Sequence, residues 1–192
     1  MPTVVVLGGI NGAGKTTSAR PLLVEVLGCP AFVNADEIAR GLNGFAPEDV
    51  AFDAGRIMLE RLRQLSTEGA DFAFETTLAG RSYLPFLRRL KVKGYRIELH
   101  YVWLASPELA VGRVRTRVAR GGHHIPEATI SQRFPRTINN FWSAYRSEAD
   151  SWAVYDNSGL GPMLTAAGAG PDIARVSDPV GWESFRRLIG HA

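Results

Sequence analysis

The chain has 192 residues, of which 45% are hydrophobic and 21% are charged, and this composition predicts a single globular domain over residues 1–192 with a sizeable core. The net charge of +3 comes without a dense basic run, so it does not indicate nucleic acid as a partner. No segment has the length and apolar character of a membrane span, and the single Cys29 excludes an internal disulfide and favours a cytoplasmic protein.

Short apolar runs alternate with helical patterns along the chain, which predicts a three-layer α/β/α fold with a mostly parallel sheet of five to six strands. The strand candidates are residues 3–7, 31–34, 71–75, 96–104, 152–155 and, more weakly, 173–176. The helix candidates are residues 17–27, 37–42, 49–66, 83–92, 107–120, 126–149 and 179–189. We expect the helix from residue 126 to break near Pro135, and residues 159–162 and 166–171 to be loops.

A glycine-rich loop stands between the first strand and the first helix. It has the pattern G-x-x-x-x-G-K-[ST], in which glycines let main-chain N–H groups and the start of the next helix surround phosphates. The loop consists of Gly9, Ile10, Asn11, Gly12, Ala13, Gly14, Lys15 and Thr16, and Thr17 follows in the helix. The pattern predicts binding of a nucleoside triphosphate, with Lys15 on the β- and γ-phosphates and Thr16 as a Mg²⁺ ligand. The alternative is a glycine-rich turn without a ligand.

Three carboxylates follow the predicted strands, at the edge of the sheet where α/β proteins bind ligands. Asp36 is either the base that accepts a proton from an attacking hydroxyl or the N-cap of a short helix. Glu75, which begins Glu75-Thr76-Thr77, is a magnesium ligand through water, an acceptor contact or a solvated strand end. Asp156 favours an Asx turn, and its neighbour Asn157 is a candidate contact of the nucleotide.

A candidate lid spans residues 113–136. Arg113, Arg117 and Arg120 recur at helical spacing and form one stripe, which either neutralises the transferring phosphate or is a solvated helix face. The pair Gly121-Gly122 is typical of a hinge. His123 and the adjacent His124 lack the spacing of zinc ligands, so we expect His123 to be a polar residue near phosphate or substrate. Arg133 and Arg136 extend the basic character of the lid.

Taken together, these motifs resemble the zeta-toxin family of P-loop kinases, and in particular its compact members, in which a Gly-Gly-His-x-Ile/Val-Pro-Glu segment follows an arginine helix. The resemblance implies a kinase-like fold with a helical lid, ATP (or GTP) and Mg²⁺ as cofactors, and an antitoxin protein as a partner. It implies that Asp36 is the catalytic base, Glu75 an acceptor contact and Arg117 a γ-phosphate contact. The second lid arginine of the larger members falls near Arg120 or His123.

The sequence therefore predicts an ATP-dependent kinase that phosphorylates a hydroxyl group of a small molecule. The resemblance implies a UDP-amino sugar such as UDP-N-acetylglucosamine as the acceptor. A nucleoside or a sugar acid would leave the mechanism unchanged and would alter only the pocket around residues 75–81, where Thr76, Thr77 and Arg81 are candidate contacts. A nucleotide-binding ATPase or switch that acts through a partner is the remaining alternative.

Overall fold

A computed structural model describes residues 1–20 and 31–190, so Cys29 and most of the helix expected over 17–27 lie outside the described residues. The described chain forms a seven-stranded sheet with helices on both faces, in the order β2-β3-β1-β4-β5-β6-β7. The strands are β1 (Thr3–Gly8), β2 (Phe32–Val33), β3 (Phe72–Thr76), β4 (Arg96–Trp103), β5 (Ser151–Asp156), β6 (Met163–Ala169) and β7 (Asp172–Val176). This architecture confirms the α/β class with a mostly parallel sheet, but the sheet has seven strands instead of the five to six that the sequence predicted.

The first five strands are parallel, with β1 paired to both β3 and β4 at the centre. Their sequences are continuously apolar because helices cover both faces; Val4, Val6, Phe72 and Phe74, for example, are completely buried. Their carboxyl ends meet at one edge of the sheet. The glycine-rich loop and all three candidate carboxylates therefore lie at that edge.

The last two strands form an antiparallel extension of the sheet. The expected weak strand near residue 173 is confirmed as β7, but the prediction of a loop over 166–171 was wrong, because β6 includes residues 166–169 and pairs with β5. Leu164, Ala166 and Ala167 have little β-propensity of their own, so the pattern was missed. The strand forms because its small residues fit the neighbouring strand: a side chain at Gly168 would collide with the Trp152 ring.

Eight helices occur in the described part of the chain. They are α1 (Lys15–Arg20), α2 (Ala35–Leu42), α3 (Ala51–Glu68), α4 (Leu84–Val92), α5 (Pro107–Ala119), α6 (Glu127–Asn140), α7 (Arg146–Glu148) and α8 (Pro179–Gly190). The expected break at Pro135 was wrong: α6 runs through it because Ile130, Phe134 and Ile138 anchor the helix in the core on both sides. The irregularity comes later, as a π-helical turn at Phe141–Tyr145.

None of the helices in the described part of the chain is long and apolar enough to cross a membrane.

Candidate active site

The glycine-rich loop is held in a conformation that only glycine adopts easily. Gly9, Gly12 and Gly14 have φ values of 144°, 82° and 82°, in the left-handed region. A Cβ atom on Gly14 would lie 2.6 Å from the Asn157 Nδ2 atom. That amide, at the end of β5, donates a 2.7 Å hydrogen bond to the Ala13 carbonyl and so fixes the loop from the neighbouring strand. The sequence suggested Asn157 as a nucleotide contact; in the structure its side chain stabilises the loop through this hydrogen bond.

Glu75, at the end of β3, lies at the centre of the polar contacts around this loop. The buried Lys15 ammonium donates to the Ile10 carbonyl at 3.0 Å and lies 3.4 Å from Glu75 Oε1. The Thr16 hydroxyl donates to Glu75 Oε2 at 2.7 Å, and the Asn34 amide donates to the same oxygen at 3.1 Å. Glu75 therefore contacts the two side chains that a bound triphosphate and its magnesium would require.

Asp36 begins the helix after β2, but it does not cap it. Asn34 is the N-cap, and its Oδ1 atom accepts a 2.8 Å hydrogen bond from the Asp36 main-chain N–H. The sequence left open whether Asp36 is the helix cap or the catalytic base. In the structure the cap is Asn34, two positions earlier. The Asp36 carboxylate makes no hydrogen bond or ion pair with the described residues.

Two adjoining cavities meet at Asp36. The phosphate cavity, of about 240 Å³, lies over the glycine-rich loop; its lining includes Gly12, Gly14, Thr16, Thr17, Arg113 and Arg117. The cleft, of about 470 Å³, lies beside it; its lining includes Glu48, Met58, Thr76, Thr77, Tyr83 and His123. Both cavities are lined by Asn11, Lys15, Asp36 and Glu75. The two cavities therefore adjoin along these four residues, of which Asp36 has a carboxylate without a partner in the described chain.

The arginine stripe of α5 is only partly directed at the phosphate cavity. Arg113 and Arg117 line it, whereas Arg120 is exposed at the end of the helix and lines neither cavity. The Arg117 guanidinium donates to the His123 carbonyl at 2.8 Å, and its Nε atom is buried without a partner in the described residues. Arg117 therefore has an unused buried donor beside the phosphate cavity, which is the arrangement that a bound anion would satisfy.

The turn after α5 places the next functional groups in the cleft. Gly121 adopts φ 81°, and the Gly122 main-chain N–H donates to the Arg117 carbonyl at 2.9 Å, which ends the helix. His123 then lines the cleft, and its Nδ1 atom lies 3.7 Å from the Glu48 carboxylate on the opposite wall. The structure thus brings together His123 and Glu48, of which the sequence had indicated only the first.

Arg133, on α6, also reaches the glycine-rich loop. Its guanidinium donates to the Asn11 side-chain oxygen at 3.2 Å and lines the cleft. The family resemblance placed a second lid arginine near Arg120 or His123, and the sequence gave Arg133 only a general basic character. Spacing along one helix could not identify it, because it lies on the next helix and approaches through the packing of α6 beside α5.

Of the remaining candidate site residues, two line the cleft and two do not. Thr76 and Thr77 line the cleft, but Arg81 does not; its guanidinium points to Asn140 and Ser143 on α6 and the π-helical turn. Asp156 forms the expected Asx turn, since its carboxylate accepts a 2.8 Å hydrogen bond from the Ser158 main-chain N–H.

Comparison with known proteins gives the family and the fold. Residues 1–160 match the family described as Zeta toxin. An uncharacterized protein from Haemophilus influenzae is 29% identical over 128 residues, which cover 66% of this chain and 88% of the relative.

Two solved structures share the fold at low identity. The crystal structure of AvrRxo1-ORF1:-ORF2 with ATP has a TM-score of 0.76 at 18% identity, covering 96% of this chain but only 63% of the matched chain. The PezAT chromosomal toxin-antitoxin system of Streptococcus pneumoniae has a TM-score of 0.69 at 19% identity, covering all of this chain and 83% of the other. The family match extends from the glycine-rich loop through the lid to Asn157, and so the chain belongs to the zeta toxin family.

Proposed function

We propose that this protein is a kinase that transfers the γ-phosphate of ATP to a hydroxyl group of a small molecule. The observation that carries the proposal is the position of the Asp36 carboxylate, which lines both the phosphate cavity and the cleft and has no other partner in the described chain. A base for phosphoryl transfer needs this position, between the donor phosphate and the acceptor hydroxyl.

The residues around the glycine-rich loop fit a magnesium-bound triphosphate. Its positive-φ glycines give the loop a backbone conformation in which successive N–H groups can surround a phosphate, Lys15 supplies a buried charge, and Arg117 supplies an unpaired donor. Thr16 would ligate Mg²⁺, and Glu75, 2.7 Å from the Thr16 hydroxyl, would bind a water of the ion. Magnesium, when bound, neutralises charge on the phosphate oxygens. For Glu75 we favour this role over that of an acceptor contact.

In the proposed reaction the acceptor hydroxyl lies in the cleft with its O–H directed at the Asp36 carboxylate. The hydroxyl oxygen forms a bond to the γ-phosphorus while the bond from that phosphorus to the β,γ-bridging oxygen breaks, and ADP leaves with the electron pair of that bond. The proton of the hydroxyl passes to Asp36. Arg117 and Arg133, which approach the loop from α5 and α6, stabilise the negative charge on the transferring group.

For the acceptor we propose a UDP-amino sugar, with UDP-N-acetylglucosamine as the first candidate. Membership of the zeta toxin family supports this choice, and so does a polar cleft of about 470 Å³ beside Asp36. The complexes of the PezAT toxin-antitoxin system and of AvrRxo1-ORF1 with ORF2 support an antitoxin protein as the partner of this chain.

The experiment that tests the proposal incubates the full chain and Mg²⁺-ATP with a panel of UDP-sugars, nucleosides and sugar acids, and detects phosphorylated products by mass spectrometry. We expect one class of acceptor to give a product heavier than the acceptor by one phosphate group. The Lys15→Ala variant should give no such product, because it lacks the ammonium group that would contact the β- and γ-phosphates. ATP hydrolysis without any phosphorylated acceptor, and insensitive to loss of Asp36, would instead support an ATPase or a switch.

A further inference from the structure

The turn between α5 and α6 joins the two cavities. Arg117, in the last turn of α5, lines the phosphate cavity, and His123, beyond the end of that helix, lines the cleft. The Arg117 guanidinium donates to the His123 carbonyl at 2.8 Å, and the Gly122 main-chain N–H donates back to the Arg117 carbonyl at 2.9 Å. Because these bonds tie the two ends of the turn to each other, we expect Arg117 and His123 to move together.

Each end of this turn carries a buried polar atom that lacks a partner. Across the described residues, three buried side-chain nitrogen or oxygen atoms make no hydrogen bond, and they are Trp103 Nε1, Arg117 Nε and His123 Nδ1. Buried polar groups in folded proteins are nearly always paired, because an unpaired group costs free energy. Two of the three exceptions belong to this one turn, and their residues line different cavities. The turn therefore needs a partner on each side.

Glu48 lies across the cleft from His123. It belongs to the short 3₁₀ helix Pro47–Val50 between α2 and α3, and its half-exposed carboxylate makes no hydrogen bond with the described residues. His123 Nδ1 lies 3.7 Å from Glu48 Oε2, whereas a hydrogen bond requires about 3 Å. An approach of less than about 1 Å would let an Nδ1–H group donate to Glu48, and it would narrow the cleft.

We infer that this turn couples the two cavities, so that a nucleotide in the phosphate cavity closes the cleft through a hydrogen bond from His123 to Glu48. A bound phosphate supplies the missing partner of Arg117 and draws the turn toward it, and His123 moves with Arg117. Because coupling between two sites is reciprocal, an occupant of the closed cleft raises the affinity for nucleotide by the same factor. His123 acts here as a positioning residue. The identification of that occupant as the acceptor rests on the proposed kinase function.

Hydrogen–deuterium exchange tests the closure without acceptor or catalysis. The full chain with Mg²⁺ is measured by mass spectrometry in the presence and absence of a non-hydrolysable ATP analogue. We expect the analogue to slow exchange roughly fivefold or more at residues 48–54, on the far wall of the cleft, and also to slow exchange in the glycine-rich loop.

Two variants at His123 separate the imidazole nitrogen from the size of the ring. His123→Phe keeps a ring but removes the nitrogen, so it should abolish the effect at residues 48–54 and leave the effect in the loop. His123→Asn should retain both effects, because its amide nitrogen, like Nδ1, is bonded to Cγ. Equal slowing at residues 48–54 in the unmodified chain and in His123→Phe, or no slowing there in the unmodified chain, would overturn the inference.

Calorimetry tests the reciprocal effect on nucleotide binding. Affinity for the ATP analogue is measured alone and with saturating UDP-N-acetylglucosamine, or with the acceptor that the mass-spectrometric panel identifies. The acceptor should raise this affinity roughly fivefold or more in the unmodified chain, but not in His123→Phe or Glu48→Ala. The double variant should be no worse than either single variant, because both changes break one contact. Asp49→Ala removes the neighbouring exposed carboxylate of the same 3₁₀ helix, and this matched control should keep the full effect.

The outcomes separate this inference from the proposed function. If an acceptor is phosphorylated but raises affinity for the analogue equally in the unmodified chain, His123→Phe and Glu48→Ala, the kinase function stands and the coupling through His123 falls. If no acceptor is phosphorylated but the analogue slows exchange at residues 48–54 through His123, the coupling stands and the kinase function falls.

Discussion

At the start of α2, one side chain caps the helix and a different one provides the free carboxylate. Asn34 caps the helix with its oxygen and donates to Glu75 with its amide, which leaves the Asp36 carboxylate free at the boundary of the two cavities. A helix cap and a catalytic base respond differently to loss of charge. Asparagine is as good a cap as aspartate, but it cannot accept a proton.

We expect Asp36→Asn to lower kcat by roughly 100-fold or more while ATP affinity and thermal stability change little. Asn34→Ala is the informative companion, because it removes the cap and should lower the free energy of unfolding by about 1 kcal/mol. Turnover with a saturating acceptor, ATP binding and chemical denaturation measure the three quantities. An Asp36→Asn protein with normal kcat would show that Asp36 is not the base.

Glu75 is the second residue whose role follows from its contacts. The Glu75 carboxylate accepts a 2.7 Å hydrogen bond from the hydroxyl of Thr16, the proposed Mg²⁺ ligand. We therefore expect Glu75→Gln to raise the Mg²⁺ concentration needed for half-maximal activity by roughly tenfold, with a smaller effect on the KM of the acceptor. Magnesium titrations at saturating ATP and acceptor, followed by acceptor titrations at saturating magnesium, separate the two constants. A change confined to the acceptor KM would restore Glu75 to the role that the family resemblance implied.

At the scale of elements, the candidate lid at residues 113–136 comprises the second half of α5, the Gly121-Gly122 turn and most of α6, and its arginines differ in position. Arg117 faces the phosphate cavity and fastens the turn through the His123 carbonyl, whereas Arg120 is exposed outside both cavities. The side chain of Arg117 also packs against Gly122, where a Cβ atom would lie 2.5 Å from the Arg117 Cγ atom. The end of α5 and the position of the Arg117 side chain beside the cavity therefore depend on each other.

We expect Arg117→Ala to lower kcat by about 10³-fold, and Arg117→Lys to recover only part of it, because lysine keeps the charge but loses the planar fork. Loss of the bond to His123 should also lower the free energy of unfolding by about 1 kcal/mol. Arg120→Ala, on the same helix, is the control and should behave like the unmodified protein. Comparable kcat losses in both alanine variants would contradict the placement of the stripe.

At the scale of the whole molecule, a partly buried histidine of the sheet links stability to pH. His100, in β4, stacks on Tyr155 of β5, and burial lowers the pKa of His100 from its usual 6.5 to about 4. Between those two values the unfolded chain binds a proton that the folded protein excludes. This contribution to stability is therefore complete above about pH 6.5 and is lost as the pH falls toward 4.

We expect the free energy of unfolding to fall by up to about 1.4 kcal/mol per pH unit below pH 6.5 because of this residue, and His100→Gln to flatten that slope. Urea denaturation at several pH values between 4.5 and 7.5 measures it. The remaining histidines lie in the lid and at the chain end, so His124→Gln, an exposed change, serves as the control. An unchanged slope in His100→Gln would show that other groups cause the acid sensitivity.

The sequence by itself determined the α/β class, the central parallel strands and the position of the glycine-rich loop. Continuous apolar runs and the spacing of Gly9, Gly14 and Lys15 are local signals, and a local pattern is readable without knowledge of distant residues. Where the local signal was weak, as in β6, or opposed by packing, as at Pro135, the prediction was wrong, because contacts with Trp152 and with the core decided the structure.

Only the tertiary structure decided which polar side chains meet. Asn34, Glu48 and Arg133 come from three different elements, and no spacing along the chain relates them to Glu75, His123 or Asn11. Chemistry at a sheet edge depends on distances of about 3 Å between side chains from several elements, and those distances are set by how helices and strands pack, not by their order in the chain.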